Sequence, residues 1–167
     1  TDIPLIEYIA SKGKPVIIST GIAVMSDIEA AVSACKRAGN DQIALLKCTS
    51  AYPAPYEEMN LKTIPDLADR FETVTGLSDH SNGITVPVTA TALGAKIIEK
   101  HIILDRNIGG PDAAFSLQPD EFRAMVTSVR EAELALGKIS YDVTEKTKKS
   151  REFSRFLFVV CDIKAGE

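Results

Sequence analysis

Apolar positions along the chain fall into two alternating rhythms. Short apolar runs at residues 15–20, 43–48, 74–80 and 95–101 have the length and β-branched content of parallel strands covered on both faces. Between them, apolar residues recur at helical 3/4 spacing. Residues 5–11 predict the end of a helix that stops near Gly13. Ser26-Asp27-Ile28-Glu29 has the form of a capping box with Ser26 as N-cap, opening a helix that buries Ile28, Ala31, Val32, Cys35 and Ala38 and ends at Gly39. Asn60 is placed to cap a helix burying Leu61, Ile64, Leu67, Ala68 and Phe71, with Pro65 early in it. Residues 85–93 predict a helix of small residues with Pro87 in its first turn. Pro119 opens another, which carries Phe122, Met125, Val126, Val129 and Leu136 on its apolar face before Gly137. Residues 105–118 form a long loop, 139–155 are polar and Lys-rich like a linker, and 156–160 resemble a further strand. Four β–α units in succession predict α/β architecture. They make half of a (β/α)₈ barrel or most of a smaller doubly wound sheet, and the pattern does not separate the two.

All four strands end in reactive side chains: Ser19-Thr20-Gly21, Cys48-Thr49-Ser50-Ala51-Tyr52, Ser78-Asp79-His80 and Glu99-Lys100-His101. One such end means only a turn, since Ser, Thr and Asp are turn residues. Four of four point to a ring of donors at the carboxyl edge, where α/β folds place their chemistry. Alternation puts Ser78 on a face with His80, Glu99 with His101, and Ser50 with Tyr52. His80 and His101 are the only histidines in the chain. Neutral imidazole is the commonest protein ligand for a catalytic divalent metal, whereas a single histidine is more often a satisfied structural residue. Ser hydroxyls suit phosphate oxygens, and the loop Gly109-Gly110-Pro111-Asp112 adds a carboxylate.

Composition narrows the classes. A net charge of −4 with no dominant basic face excludes nucleic acid and anionic membrane surfaces as expected partners. Lys146, Lys148, Lys149, Arg151 and Arg155 fit a solvated segment. Three cysteines, Cys35, Cys48 and Cys161, without metal-ligand spacing predict a reducing compartment and no disulfide framework. Absence of a signal-like or spanning segment gives a cytoplasmic, soluble expectation. Both ends of the sequence look cut, as for part of a longer protein.

The ordered set Ser19-Thr20-Gly21, Cys48-Thr49-Ser50-Ala51-Tyr52-Pro53, Gly76-Leu77-Ser78-Asp79-His80, Ile98-Glu99-Lys100-His101 and Gly109-Gly110-Pro111-Asp112 resembles the sialic acid synthase family of nonulosonate synthases over nearly the whole chain. Its pseudaminic branch is matched through Leu45-Leu46-Lys47-Cys48 and on to Pro55, while the sialic acid branch usually carries His at the position of Lys47. The resemblance implies strands five to eight of a TIM barrel at 1–138, a linker at 139–155, and the start of an antifreeze-like (SAF) domain at 156–167. It implies condensation of phosphoenolpyruvate with an open-chain N-acetylated amino sugar, 2,4-diacetamido-2,4,6-trideoxy-altrose in this branch, giving a nine-carbon 2-keto sugar acid and phosphate. By motif, His80 and His101 would hold Mn²⁺ or Mg²⁺, and Ser19, Ser50 and Ser78 would contact phosphoenolpyruvate. Tyr52 and Asp112 would face the sugar, and Glu99 would sit beside the metal. Glu99 or Asp112 would relay the proton. Ser50 departs from the Asn that the sialic acid branch can carry. The family also implies a homodimer, with an isolated half barrel inactive and its outer strands unpaired. The alternatives are an acceptor of the N-acetylneuraminate or legionaminate type, and a non-catalytic carbohydrate-binding barrel.

Overall fold

The computed structural model describes residues 2–155 and 159–166. They divide into two compact units, Thr1–Leu136 and Gly137–Glu167.

In the first unit the elements run α1 (Ile3–Ala10), β1 (Val16–Ser19), α2 (Met25–Arg37), β2 (Ile43–Cys48), α3 (Thr63–Phe71), β3 (Val74–Asp79), α4 (Thr85–Ala92), β4 (Ile97–Lys100) and α5 (Pro119–Leu136). The strands form one sheet in the order β1-β2-β3-β4, every pair parallel. A doubly wound sheet reverses its strand order at a switch point. Here each strand lies beside its predecessor, as in a barrel wall, so the sheet is a half barrel and the ambiguity left by the pattern is resolved.

The two faces of the sheet carry different loads. Val16, Ile43 and Leu45 pack with Ala10, Ile28, Val32 and Cys35 from α1 and α2. Leu77 joins Ile64, Val86 and Ala90 from α3 and α4, with Ile98 against them. These positions share one parity, the helix-facing side. The opposite parity forms layers by register: Ser19, Leu46, Gly76 and Ile97 in one, then Cys48, Ser78 and Glu99 above it. Side-chain polarity on this inner face therefore rises toward the carboxyl edge, as in a barrel interior filled in layers.

Several local expectations change. The N-cap of α2 is Val24 rather than Ser26, and the Asp27 carboxylate accepts from the Val24 amide at 3.1 Å. The box thus closes two residues earlier, because Asp27 reaches back as readily as Glu29. Asn60 does not cap α3. It adopts φ 44° in the turn before it, and its carbonyl accepts from Thr63 at 3.0 Å. On α5, which packs on α4, only Met125 is buried, while Val126 and Leu136 are 43% and 52% exposed. The loop before it has structure of its own. Residues Arg106–Ile108 form a 3₁₀ turn, and Leu117 returns to donate to the His101 carbonyl at 3.0 Å.

In the second unit the segment expected to be a linker contains helix α6 (Glu145–Glu152), capped by the Thr144 hydroxyl. It is polar all round, so periodicity carries no signal for it. Of the strand expected from Phe156, residues 156–158 lie outside the described residues, and Val159 and Val160 are not in a strand.

Candidate active site at the carboxyl edge

The polar inner layers open into a cavity of about 710 Å³ whose lining includes Ser19, Ser50, Tyr52, Ser78, His80 and Glu99. The Thr20–Gly21 turn closes one wall. Thr20 donates its hydroxyl to the Leu46 carbonyl at 3.1 Å, and a Cβ at Gly21 (φ 35°) would sit 2.8 Å from Ser50 Oγ. Glycine meets both that backbone angle and that approach without strain. Ser78 Oγ donates to Glu99 Oε1 at 2.6 Å across register-paired positions.

His80 and His101, the first residues past β3 and β4, converge. Their ring centroids are 5.1 Å apart at 82°. Tyr52 covers them, 4.3 Å from His80 and 6.2 Å from His101, and Phe115 closes the group at 5.1 Å from His101. His80 Nδ1 lies 3.0 Å from the Thr49 carbonyl, an atom that only accepts, so Nδ1 carries a proton and donates it there. His101 Nδ1 lies 3.5 Å from Asp112 Oδ2. His101 and Asp112 line a smaller adjoining cleft of about 220 Å³ with Gly109 and Gly110. The structure thus gathers Ser19, Ser50, Tyr52, Ser78, His80 and Glu99 around one space, with His101 and Asp112 just beside it.

Donor chemistry suits a cation between the imidazoles. A metal-binding histidine characteristically gives its other ring N–H to a carbonyl or carboxylate, which fixes the tautomer. His80 has such an oxygen within hydrogen-bond distance of Nδ1, while His101 has the Asp112 carboxylate nearby at 3.5 Å, and neither Nε2 has a hydrogen-bond partner among the described residues. Imidazoles sharing one ion through bonds of about 2.1 Å hold their centroids roughly 4.5–6 Å apart, and the observed spacing falls within that range. Among the described residues no cluster of three or more His, Cys, Asp or Glu forms a closed cage. Two imidazoles leave positions for water and substrate.

Sequence reasoning passed over three features. Cys48 lines the cavity with Sγ 3.8 Å from His80 Nδ1, and it shares the parity of Ser50 and Tyr52. Phe115 gave no signal, because it arrives from a loop. Asp79 and Lys100 form a buried ion pair at 2.7 Å on the opposite face, which pairing the Asp-His and Lys-His dipeptides in register would have found. Lys47 also belongs to the helix-facing parity. It donates to the Cys48 carbonyl at 2.6 Å and the Thr49 hydroxyl at 3.2 Å, and it does not line the cavity. Burial lowers its pKa below the ordinary lysine value, partly offset by Cys48.

Comparisons with known proteins agree with one another. The model described as NeuB family matches residues 1–141. The chain is 49% identical over 162 residues to pseudaminic acid synthase of Campylobacter jejuni, an alignment covering 97% of this chain and 47% of that protein. It is 41% identical over 174 residues to N,N'-diacetyllegionaminic acid synthase of the same species, covering all of this chain and 51% of the relative. Among solved structures, N-acetylneuraminic acid (sialic acid) synthetase of Leptospira borgpetersenii, in complex with citrate, superposes with a TM-score of 0.82 at 38% identity, covering 91% of this chain and 53% of that one. The chain spans about half the length of the curated relatives it matches.

Proposed function

The chain belongs to the NeuB family, and from that premise we propose that it forms the catalytic half barrel of a phosphoenolpyruvate-dependent nonulosonate synthase of the pseudaminic type. In this reaction C3 of phosphoenolpyruvate bonds to the aldehyde carbon of the open-chain amino sugar. Water then adds at C2, and cleavage of the C2–O bond releases phosphate and leaves a 2-keto acid. The observation that carries the reading is the convergence of His80 and His101 at 5.1 Å directly above the Ser78–Glu99 layer.

Each residue has a task. Ser19 and Ser50 offer hydroxyl donors to the phosphate and carboxylate oxygens of phosphoenolpyruvate. The Ser78 proton is already committed to Glu99, so a phosphate oxygen competes with that carboxylate for it. Glu99 faces the cavity and takes the proton of the water added at C2. Asp112 orients the His101 ring and, half exposed, reaches the sugar hydroxyls together with Tyr52. A bound Mn²⁺ or Mg²⁺ between His80 and His101 would supply Lewis-acid polarisation of the aldehyde oxygen. A homodimer and a cytoplasmic location belong to the same reading; among the described residues no helix is long and apolar enough to cross a membrane.

Phosphate release by the complete polypeptide encoded with this chain tests the proposal, with three acceptors side by side. The altrose-derived acceptor is expected to give the highest kcat/KM. Preference for N-acetylmannosamine or the legionaminate precursor would assign the neighbouring branch, which the 41% identity to a legionaminic acid synthase keeps as the second reading. Phosphoenolpyruvate left intact with all three would indicate a non-catalytic barrel. The 167-residue chain alone is expected to show no turnover.

A further inference from the structure

Directly behind the two histidines lies a charge pair that the reaction does not use. Lys100 Nζ stands 2.7 Å from Asp79 Oδ2, with the side chains 1% and 0% exposed. Asp79 Oδ1 accepts from the Ser81 amide at 2.9 Å, and Lys100 Nζ also donates to the Ser81 carbonyl. The pair is enclosed on the helix-facing side, where the preceding positions of the same parity, Leu77 and Ile98, belong to an apolar cluster. A buried ion pair is weak evidence of stability, because an apolar pair of similar volume often does as well or better. Its geometry is more informative than its energy.

The three groups bracket His80 in the chain. Asp79 precedes it, Ser81 follows it, and both are tied to Lys100, which immediately precedes His101. The pair is also in direct register across β3 and β4. One ammonium therefore fixes the backbone on both sides of His80 relative to the residue that launches His101. We propose that Asp79 and Lys100 are positioning residues, a clamp on the outer face that sets the spacing and orientation of the two imidazoles on the inner face. The inference rests on the reading of His80 and His101 as ligands of one divalent cation. The clamp touches neither cation nor substrate. It acts through the strand ends, so its loss splays the ring pair rather than removing a donor.

The test uses the complete polypeptide and separates affinity from stability. Lys100→Met alone leaves a buried carboxylate unpaired and is expected to lower both Tm and Mn²⁺ affinity. The double variant Asp79→Leu/Lys100→Met removes both charges and is expected to restore Tm to near the native value. Its Kd for Mn²⁺ in calorimetric titration is still expected to rise about tenfold or more, the scale on which groups outside the ligand set act. Lys100→Arg keeps the charge pair and is expected to stay closer to native in affinity than the double variant. If affinity returns to native along with Tm in the double variant, the pair is merely structural and the proposal is overturned. Long-range ¹H–¹⁵N spectra of the imidazoles, recorded without metal and assigned through His80→Gln and His101→Gln, supply a readout independent of the cation. Unchanged ring signals in the double variant overturn the clamp whatever the metal does. Native Mn²⁺ binding that ignores His80→Gln would instead overturn the ligand reading, leaving the ring signals to decide the clamp alone.

Discussion

The two central strands and the two outer strands of the sheet arise from equally apolar sequences and end up in different surroundings. In β2 and β3, Leu45, Leu46 and Leu77 are fully buried, with helices on one face and neighbouring strands on both sides. In β1, Ile17 is 55% exposed on the inner face; in β4, Ile97 and Ile98 are half-buried and Glu99 is exposed. The candidate site straddles this division. His80 follows a central strand and is 6% exposed, while the His101 side chain follows an edge strand and is 32% exposed. The centre supplies a fixed reference and the edge supplies access. Substitutions at the centre should therefore register in stability, and polar substitutions at the edge in activity.

The largest effect expected is on the edge. Glu99→Gln keeps the shape but removes the carboxylate proposed as the base, and kcat in the complete polypeptide should fall about 10²–10⁴-fold while Tm stays near native; a matching fall in Tm would blur the division. At the centre, Leu45→Ala empties a fully buried site and should cost about 2–5 kcal/mol in urea unfolding. Gly76→Ala probes the inner layer, where a Cβ would meet the Ile97 carbonyl oxygen at 2.4 Å and Leu46 Cδ2 at 2.7 Å. Backbone of β4 must shift to admit it, so a loss of about 1–3 kcal/mol is expected. Ile17→Thr on the open edge should cost within about 0.5 kcal/mol in this chain. A cost above about 1 kcal/mol in the complete polypeptide would show that further structure covers β1 there.

The smallest effect is a pH dependence. Burial lowers the pKa of Lys47 in the folded chain, so between that lowered value and the ordinary value near 10.4 the unfolded state binds more protons. Stability from this group therefore rises with pH across that alkaline window. Lys47→Met should flatten the rise in Tm measured over the same window, and an unchanged slope would contradict it.

Much of the fold was legible because it depends on local pattern. Runs such as Val16-Ile17-Ile18 and the 3/4 spacing of Ile28, Val32 and Cys35 gave all four strands and their helices to within a few residues. The grouping of candidate residues at the strand ends was legible for the same reason, since parity alone put Ser78 with His80 and Glu99 with His101. What escaped depends on partners distant in sequence. Nothing in Val16–Ser19 says that, among the described residues, no strand pairs beyond it, and nothing in α5 says that Val126 and Leu136 stay exposed. The Asp79–Lys100 pair requires the register of β3 against β4, and Phe115 requires the return of a loop. Helix α6 escaped for a different reason: it has no apolar face to announce it.

The central claim is that His80 and His101 hold one cation together. Pulsed electron paramagnetic resonance of Mn²⁺ added to the complete polypeptide measures this most directly, because ligand nitrogen couples to the electron spin. Two imidazole ¹⁴N couplings are expected, one lost in His80→Gln and the other in His101→Gln. Bound Mn²⁺ without nitrogen coupling, or with couplings that survive both substitutions, would contradict the account.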